Sequence, residues 1–335
     1  MDTFDLPLIW AMLIAFSVFM YVVMDGFDLG IGILFPFFHD ERHRDTMMNS
    51  VAPVWDGNET WLVLGGGGLF AVFPLAYSIL MTAFYAPLIG MLLALVFRGV
   101  AFEFRFRDAK HRRIWDIAFA VGSVVATLCQ GIVLGTLVQG VAVTGRSYTG
   151  GWFDWLTPFS VFTGIALLVG YAMLGAAWLG MKTEGELQQR IYRAMPRLGA
   201  GLVIAILVVS LWTPFLSPVI AERWFSWPNI AQLSPVPILV VLTAYGLFRS
   251  IARRSEYLPF LLTLGLFLLS YIGLLISLFP LIVPPSITIW DAAAPLASLS
   301  FLLVGTLVLL PIILGYTGYA YWIFRGKVRA EDSYH

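Results

Sequence analysis

Acidic side chains stand at the start of an apolar, glycine-rich stretch of this sequence. The segment VAPVWDGNETWLVLGGGG, residues 51–68, carries Asp56 and Glu59 between Trp55 and Trp61. A charge inside a bilayer costs roughly 2.5–3.5 kcal/mol or more, so such acids must pair with a base, take up a proton or contact water. This pattern predicts a group that exchanges protons at the edge of a membrane.

Further ionisable residues are expected at the same depth on neighbouring helices. Asp25 and Asp28 are three residues apart in MDGFDLG and therefore share one helical face. Arg98 and Glu103 lie in FRGVAFEFR, near the end of another apolar segment. Because like charges repel, we expect at least one of the acids to be protonated. The predicted proton-path residues are Asp25, Asp28, Asp56 and Glu59, and the predicted charge-balancing residues are Arg98 and Glu103.

A structural role fits the same residues. The acids are also typical of snorkelling helix ends, and Asp56 and Glu59 have the spacing of a capping box. Closely spaced glycines, such as Gly26 and Gly30, favour tight packing of membrane helices. Gln130, inside an apolar segment, favours a hydrogen bond between helices.

Composition identifies the elements that must position these residues. Of the 335 residues, 59% are hydrophobic and only 12% are charged, with a mean hydropathy of +0.85. Soluble domains have about 25% charged residues, so the chain is predicted to be a polytopic membrane protein. A net charge of zero does not support binding to nucleic acid, and the single cysteine excludes an internal disulfide.

The apolar segments predict a single all-α membrane domain over residues 1–335. A membrane-spanning helix needs about 20 apolar residues, and the sequence contains nine such stretches, without the alternation of a β-barrel. The predicted spans are 6–26 (extending as far as 38), 57–76, 78–103, 114–140, 158–180, 199–220, 236–252, 258–279 and 296–323.

The basic residues predict the orientation of these nine helices. With the N-terminus outside and the C-terminus inside, all but three of the 20 Lys and Arg residues lie on the inner side. The exceptions are Arg98 within a span and Arg146 and Arg223 outside. This asymmetry agrees with the positive-inside rule.

Metal ligands are scarce in the predicted spans. The four histidines, His39, His43, His111 and His335, all lie outside them. Haem within a membrane is commonly held by histidine, so we expect the chain itself to ligate neither a haem nor another metal. It also lacks a nucleophile motif or a phosphate-binding loop, and no catalytic centre is predicted within it.

Several motifs resemble those of subunit II of the cytochrome bd quinol oxidases, above all its short, cyanide-insensitive branch. The two most specific are DGFDLGIGIL, residues 25–34, and NSVAPVWDGNETW, residues 49–61. Others are FRGVAFEFR (97–105), IWDIAFAVGS (114–123), LVQGVAV (137–143), ITIWDAAAP (287–295) and PIILGYTGYAYWIFRGKV (311–328). Residues 145–285 are similar mainly in hydropathy.

The resemblance implies a role within a respiratory complex of the bacterial inner membrane. The partner would be a subunit I that carries two b-type haems and haem d, with small single-span subunits in addition. The complex would oxidise quinol and reduce dioxygen to water with protons from the cytoplasm. It implies that subunit II ligates no haem and that Asp25 and Asp56 line the proton route. It also implies a structural quinone or a lipid near the motif containing Trp55.

Two other functions remain open at the level of the sequence. A proton-coupled secondary transporter would also contain intramembrane acids, although such transporters often have paired repeats and helices broken near the midplane. A purely structural subunit would tolerate amide replacements of every acid. Transport by the isolated chain would favour the former.

Overall fold

The computed structural model describes residues 5–328; Arg329 and His335, which contribute to the counts above, lie outside the described residues. The described chain is almost wholly helical. Its helices are α1 (Leu6–Leu34), α2 (Glu41–Asn49), α3 (Trp55–Val72), α4 (Pro74–Ala83), α5 (Tyr85–Phe104), α6 (Arg112–Gln139), α7 (Pro158–Lys182), α8 (Gly185–Leu216), α9 (Pro218–Phe225), α10 (Asn229–Leu233), α11 (Pro235–Ala252), α12 (Leu258–Leu278), α13 (Ile289–Ala292) and α14 (Leu296–Ile323). Two short antiparallel hairpins complete it: β1 (Val143–Thr144) with β2 (Ser147–Tyr148), and β3 (Leu281–Val283) with β4 (Ile287–Thr288).

Eight helices of the described chain are long and apolar enough to cross a membrane. They agree with the predicted all-α membrane class. The helix α3 has 18 residues and is not one of the eight. It is less apolar because its first two turns carry Asp56, Asn58 and Glu59 and its middle consists of glycines.

The predicted boundary between the second and third spans is wrong. The structure ends α3 at Val72 and inserts the ten-residue helix α4 before α5 begins at Tyr85. Pro74 explains the break: proline has no N–H to continue a helix, and its ring forces the preceding residue out of helical geometry. Phe73, at φ −124° and ψ 61°, has that non-helical backbone.

The long helices alternate in direction, so their connections gather at two ends of the bundle. We name one the arginine-rich end; it comprises residues 35–54, 105–111, 183–184, 253–257 and 324–328. There Trp178 donates to the carbonyl of Ser50, and the Tyr192 hydroxyl donates to that of Ser255 (2.8 Å). At the opposite end the amide of Ala294 donates to the carbonyl of Val72 (2.8 Å).

The second half of α1 forms the centre of the bundle. It is buried from Val23 to Gly32 and packs against α3, α6 and α7. A side chain on Gly30 would collide with the backbone of Tyr171, so the predicted packing role of this glycine is confirmed. Phe27 stacks on Trp178 with 4.2 Å between ring centroids, which fixes α1 against α7. The packing of α1 therefore places Asp25 and Asp28 inside the protein.

Candidate functional site

Arg98 is the centre of a buried ionic cluster. It reaches from α5 towards α1 and α3, and its guanidinium has no exposed surface. Its Nη1 donates to Asp25 Oδ1 (2.7 Å) and to Glu59 Oε1 (3.1 Å), while Nη2 lies 3.7 Å from Asp28 Oδ2. We name Arg98, Asp25, Asp28 and Glu59 the Arg98 cluster. Two helices, α1 and α3, thus bring three carboxylates to one arginine on a third, α5.

The two aspartates of the cluster are buried because of their place on α1. Asp25 and Asp28 both have no exposed side-chain surface. Their three-residue spacing places them on one face, and the glycines around them let α7 approach closely on another. An ionised carboxylate in such a place needs a positive partner. Arg98 is that partner in the described structure.

Asn58 attaches Asp28 to the last helix. Its Nδ2 donates to Asp28 Oδ2 (2.7 Å) and, more weakly, to the carbonyl of Met24 (3.3 Å). Its Oδ1 accepts a hydrogen bond from the Tyr321 hydroxyl of α14 (2.8 Å). The side chain of Asn58 is buried, so its amide is held from both sides.

A second polar chain leads to Asp25 from α6 and α7. The Tyr171 hydroxyl donates to Gln130 Oε1 (2.9 Å), and Gln130 Nε2 donates to the Tyr21 hydroxyl (2.7 Å). Tyr21 lies one turn before Asp25 and is in electrostatic contact with its carboxylate. The expected interhelical hydrogen bond of Gln130 is thereby confirmed, and it joins three helices.

Some polar atoms of the cluster have no hydrogen-bond partner within the described chain. They are Asp25 Oδ2, Asp28 Oδ1, Arg98 Nε and Arg98 Nη2. Asp28 therefore has one oxygen held by Asn58 and one without a hydrogen bond, whereas the Tyr21 hydroxyl also lies beside the Asp25 carboxylate. Buried polar atoms are nearly always paired in proteins, so each exception needs an explanation. A free carboxylate oxygen is an atom at which a proton can bind.

The carboxylates are progressively less exposed from the surface to Arg98. Asp56 is exposed in the first turn of α3. Glu59, one turn further, has 26% of its side chain exposed and already contacts Arg98. Asp25 and Asp28 follow with none exposed. The predicted proton-path residues therefore form a series from solvent to the interior, with Asp56 outside the direct contacts of the cluster.

Two sequence-based expectations near the cluster do not match the structure. Asp56 and Glu59 form no capping box, because α3 begins at Trp55 and places Val54, which has no polar side chain, at the cap position. Glu103 lies apart from the cluster and pairs on the surface with Arg107 (3.3 Å). Five residues beyond Arg98 on a helix amount to about 140° of rotation, which turns Glu103 to another face.

A second ionic network at the arginine-rich end was not foreseen from the sequence. Arg105 is fully buried; its Nε donates to Asp116 Oδ1 (2.5 Å) and its Nη1 to Asp45 Oδ1 (2.6 Å). Arg44 also binds Asp116 (2.8 Å), and Arg112 binds Asp45. We name these five residues the Arg105 clamp, since they tie α2 to α5 and α6. Their basic and acidic charges nearly balance, unlike those of the Arg98 cluster.

The helix α2, which carries part of this clamp, begins with a side-chain cap. The backbone amide of Arg42 donates to Asp40 Oδ1 (2.8 Å). This hydrogen bond to the ionised form lowers the pKa of the Asp40 carboxyl from its ordinary value. The cap is therefore kept at neutral pH and is lost only as the pH falls through that lowered pKa.

Trp55 is partly buried and packs against the core beside the cluster. Its ring stacks on Phe102 with 4.9 Å between centroids and 6° between planes, so one face is already covered. A cavity of about 280 Å³ lies nearby at the arginine-rich end and is lined by Val54, Trp178 and Tyr321, among others. Trp55 does not line it. The predicted quinone or lipid near Trp55 stays a prediction.

The part of the chain that the structure describes contains no cluster of three His, Cys, Asp or Glu side chains able to hold a metal ion. His39, His43 and His111 lie at the arginine-rich end. His39 and His43 are outside the eight long apolar helices, and His111 stands directly before α6. The chemistry available at the Arg98 cluster is proton binding.

Sequence reasoning missed Asn58, Tyr21 and Tyr321. The sequence does carry a signal for Asn58: its spacing from Trp61 and Gly65 places all three on one helical face. The structure shows that this is the buried face of α3. The two tyrosines offer no such pattern: each lies on a helix that is apolar all round, and only the tertiary structure shows that they face polar groups.

Comparison with known proteins gives concordant matches. The family model described as cytochrome bd terminal oxidase subunit II matches residues 6–324. The chain is 30% identical over 367 residues to cytochrome bd-I ubiquinol oxidase subunit 2 of Escherichia coli (strain K12), covering 98% of this chain and 96% of that protein. It is 27% identical over 336 residues to cytochrome bd ubiquinol oxidase subunit 2 of Bacillus subtilis (strain 168), covering 97% of each.

A solved structure shares the fold. A chain from the structure of bd oxidase from Geobacillus thermodenitrificans superimposes with a TM-score of 0.79 at 16% identity. The match covers 96% of this chain and 99% of that one. The order and packing of the helices are thus common to both.

Proposed function

The chain belongs to the cytochrome bd terminal oxidase subunit II family, and on this premise we propose that its carboxylates take up cytoplasmic protons for the reduction of dioxygen. Membership makes it a multi-pass subunit of a respiratory oxidoreductase complex in the bacterial inner membrane, with a subunit I as partner. The remaining assignments below are proposals.

We assign the haems to the partner. Two b-type haems and haem d in subunit I would supply the electron chemistry on dioxygen, and this chain would ligate none of them. The membership of the family supports this assignment. The quinol substrate, the small single-span subunits and the quinone or lipid near Trp55 are proposed on the family resemblance.

We propose nine membrane-spanning helices with the N-terminus outside. The helix α3 would be the ninth: at 18 residues it is about 27 Å long. It runs antiparallel to α1, from Asn58 beside Asp28 to Val72 near the start of α14. Arg146 and Arg223 lie at the end opposite the arginine-rich end. By the positive-inside rule, the arginine-rich end would face the cytoplasm.

The single observation that carries the proposal is the convergence of Asp25, Asp28 and Glu59 on Arg98. One guanidinium cannot neutralise three carboxylates, and an unpaired charge in a membrane interior is costly. The cluster is therefore expected to hold at least one proton. Intramembrane carboxylates with unequal charge balance are the usual elements of proton relays.

Each acid has a place in the proposed transfer. Asp56, exposed on the cytoplasmic side, collects protons from water. Glu59 is half-buried and accepts them one turn further along α3. Asp25 and Asp28 hold them inside, and Arg98 limits the negative charge after a proton leaves for the partner. Protein groups must carry this path because a dry interface between apolar helices does not admit bulk water.

The decisive test replaces Glu59 with glutamine in the assembled complex. Glu59→Gln keeps the shape and the hydrogen bond to Arg98 but cannot exchange protons, so dioxygen consumption with saturating quinol should fall roughly 10-fold or more. Asp56→Asn should slow it by a smaller factor, since water can deliver protons past an exposed site. The haem absorption spectrum reports the amount of complex in each sample.

Glu103→Gln is the matched control. Glu103 is an exposed glutamate at the same end of the bundle and pairs with Arg107 outside the cluster. Its replacement should leave turnover unchanged. Normal turnover of Glu59→Gln at normal haem content would reject the relay and favour a scaffold role.

A further inference from the structure

We infer that Tyr321 on the last helix is a positioning residue for Asp28 and acts through Asn58. The inference rests on the proposed function, because it assigns to Asp28 the proton that the Arg98 cluster holds. It specifies which carboxylate and which oxygen carry that proton. It also gives the C-terminal helix α14 a role in proton uptake.

The Asn58 amide has one favoured orientation. Its NH₂ group faces Asp28 Oδ2 and the Met24 carbonyl, both acceptors, and its carbonyl oxygen faces the Tyr321 hydroxyl. The Tyr321 hydroxyl supplies the donor that Oδ1 needs. Rotating the amide by 180° would direct its carbonyl oxygen at those two acceptors and would leave the Tyr321 hydroxyl only the role of acceptor. By donating to Oδ1, the phenol therefore adds to the contacts that keep the NH₂ group on Asp28.

The Tyr321 ring is itself held firmly. It makes edge contacts with Phe27 and Trp178, with centroid distances of 6.4 and 6.1 Å. Those two rings stack on each other inside the core. Lys182 Nζ donates to the carbonyl of Gly326 (2.9 Å), which anchors the chain just beyond α14 to α7. These contacts fix the position of the Tyr321 hydroxyl beside Asn58.

Among the three carboxylates, Asp28 has the weakest contact with Arg98. Its distance of 3.7 Å compares with 2.7 Å for Asp25 and 3.1 Å for Glu59. It is also fully buried, unlike Glu59. Since Asn58 occupies Oδ2 and Oδ1 has no partner in the described chain, Oδ1 is the atom that binds the proton.

Loss of the phenol hydroxyl has a predictable sign. An NH₂ group donating to a carboxylate favours the ionised form, whereas a carbonyl accepting from the acid favours the protonated form. Without the hydroxyl, one of the contacts that fix the amide is lost, and the orientation that turns Asn58 Oδ1 towards Asp28 Oδ2 becomes more populated. In that orientation a proton on Asp28 Oδ2 donates to Asn58 Oδ1, so the protonated form gains a hydrogen bond and persists to higher pH.

The test compares the pH dependence of quinol oxidation by the haem-loaded complex. Tyr321→Phe should move the alkaline limb of the profile upward by roughly 0.5–1 unit. Tyr316→Phe is the matched control, because Tyr316 lies on the same helix with its side chain exposed, and its profile should be unchanged. In an Asn58→Ala background, Tyr321→Phe should add no further shift, since the effect passes through Asn58.

Two results would overturn the inference. One is a Tyr321→Phe profile that superimposes on that of the unchanged protein; the other is an equal loss of activity at every pH, which indicates a structural role only. If the Asn58→Ala complex does not assemble, the Tyr321→Phe variant is sufficient to test the inference, because that substitution removes only one oxygen atom. Given either of these two results, the Glu59→Gln variant separates the two claims. If Glu59→Gln slows turnover, only the positioning role of Tyr321 fails and the proposed function stands. If Glu59→Gln leaves turnover unchanged, both fail.

Discussion

At the scale of the residue, Arg98 determines how the acids of the cluster coexist. Its planar guanidinium places Nη1 between Asp25 and Glu59 and directs Nη2 towards Asp28. A lysine has a single charged point and cannot reach three carboxylates in a fixed arrangement. The buried arginine is thus suited to tolerate a changing number of protons around it.

Removal of Arg98 should destabilise the protein strongly. Arg98→Met leaves the carboxylates without a base, and breaking a buried ion pair in this way costs about 3–5 kcal/mol. We expect a clearly lower thermal unfolding midpoint of the detergent-solubilised complex, followed by tryptophan fluorescence. Arg98→Met combined with Asp25→Asn should recover part of the loss, because the nearest carboxylate is then neutral. An unchanged midpoint in Arg98→Met would contradict the cluster geometry.

At the scale of the element, two ionic groups have different consequences for the helices. The Arg98 cluster joins α1, α3 and α5 with an excess of acid, whereas the Arg105 clamp joins α2, α5 and α6 with nearly balanced charges. Because it connects these three elements, the clamp is expected to hold the arginine-rich end of the bundle in place.

The clamp can be tested on α2, which is short and polar. Arg105→Gln breaks contacts with Asp45 and Asp116, and we expect a loss of about 3 kcal/mol in local stability. Amide hydrogen exchange over residues 41–49 should accelerate roughly 100-fold. Arg107→Gln serves as the control, because Arg107 forms only an exposed pair with Glu103 and should change exchange little. Equal exchange in both variants would show that the clamp does not hold α2.

At the scale of the whole molecule, the apolar helices gather nearly all charged segments at one end. The Arg105 clamp lies at the arginine-rich end and the Arg98 cluster lies near it. The opposite end is closed by backbone hydrogen bonds and the two short hairpins. Under the proposed function, protons would enter the protein at the arginine-rich end. The proposed orientation places that face in the cytoplasm.

Cysteine labelling should establish this orientation and the crossing by α3. In a Cys129→Ser background, an impermeant maleimide applied to intact cells should label Ser78→Cys and Arg146→Cys but not Arg42→Cys. If α3 crosses the membrane, residues 42 and 78 lie on opposite sides of it. Permeabilised cells should show labelling at all three sites, which controls for accessibility. Equal labelling of residues 42 and 78 in intact cells would rule out the nine-helix topology.

The sequence by itself determined the class of protein and the common depth of several acids and Arg98. Apolar length defines helices in a bilayer because backbone groups there must bond within their own segment. Three-residue spacing placed Asp25 and Asp28 on one face, and chain direction brought Glu59 and Arg98 to their depth. These inferences use only the period and length of helices, which do not depend on neighbouring elements.

Only the tertiary structure decided which polar groups meet. Rotation about the helix axes excludes Glu103 from the cluster and brings Asn58 in, and the packing of α14 places Tyr321 against that amide. The Arg105 clamp likewise joins residues 45, 105 and 116, which are distant in the chain. Helices that are apolar on every side carry no periodic mark of the face they bury, so contacts between them depend on packing that hydropathy does not encode.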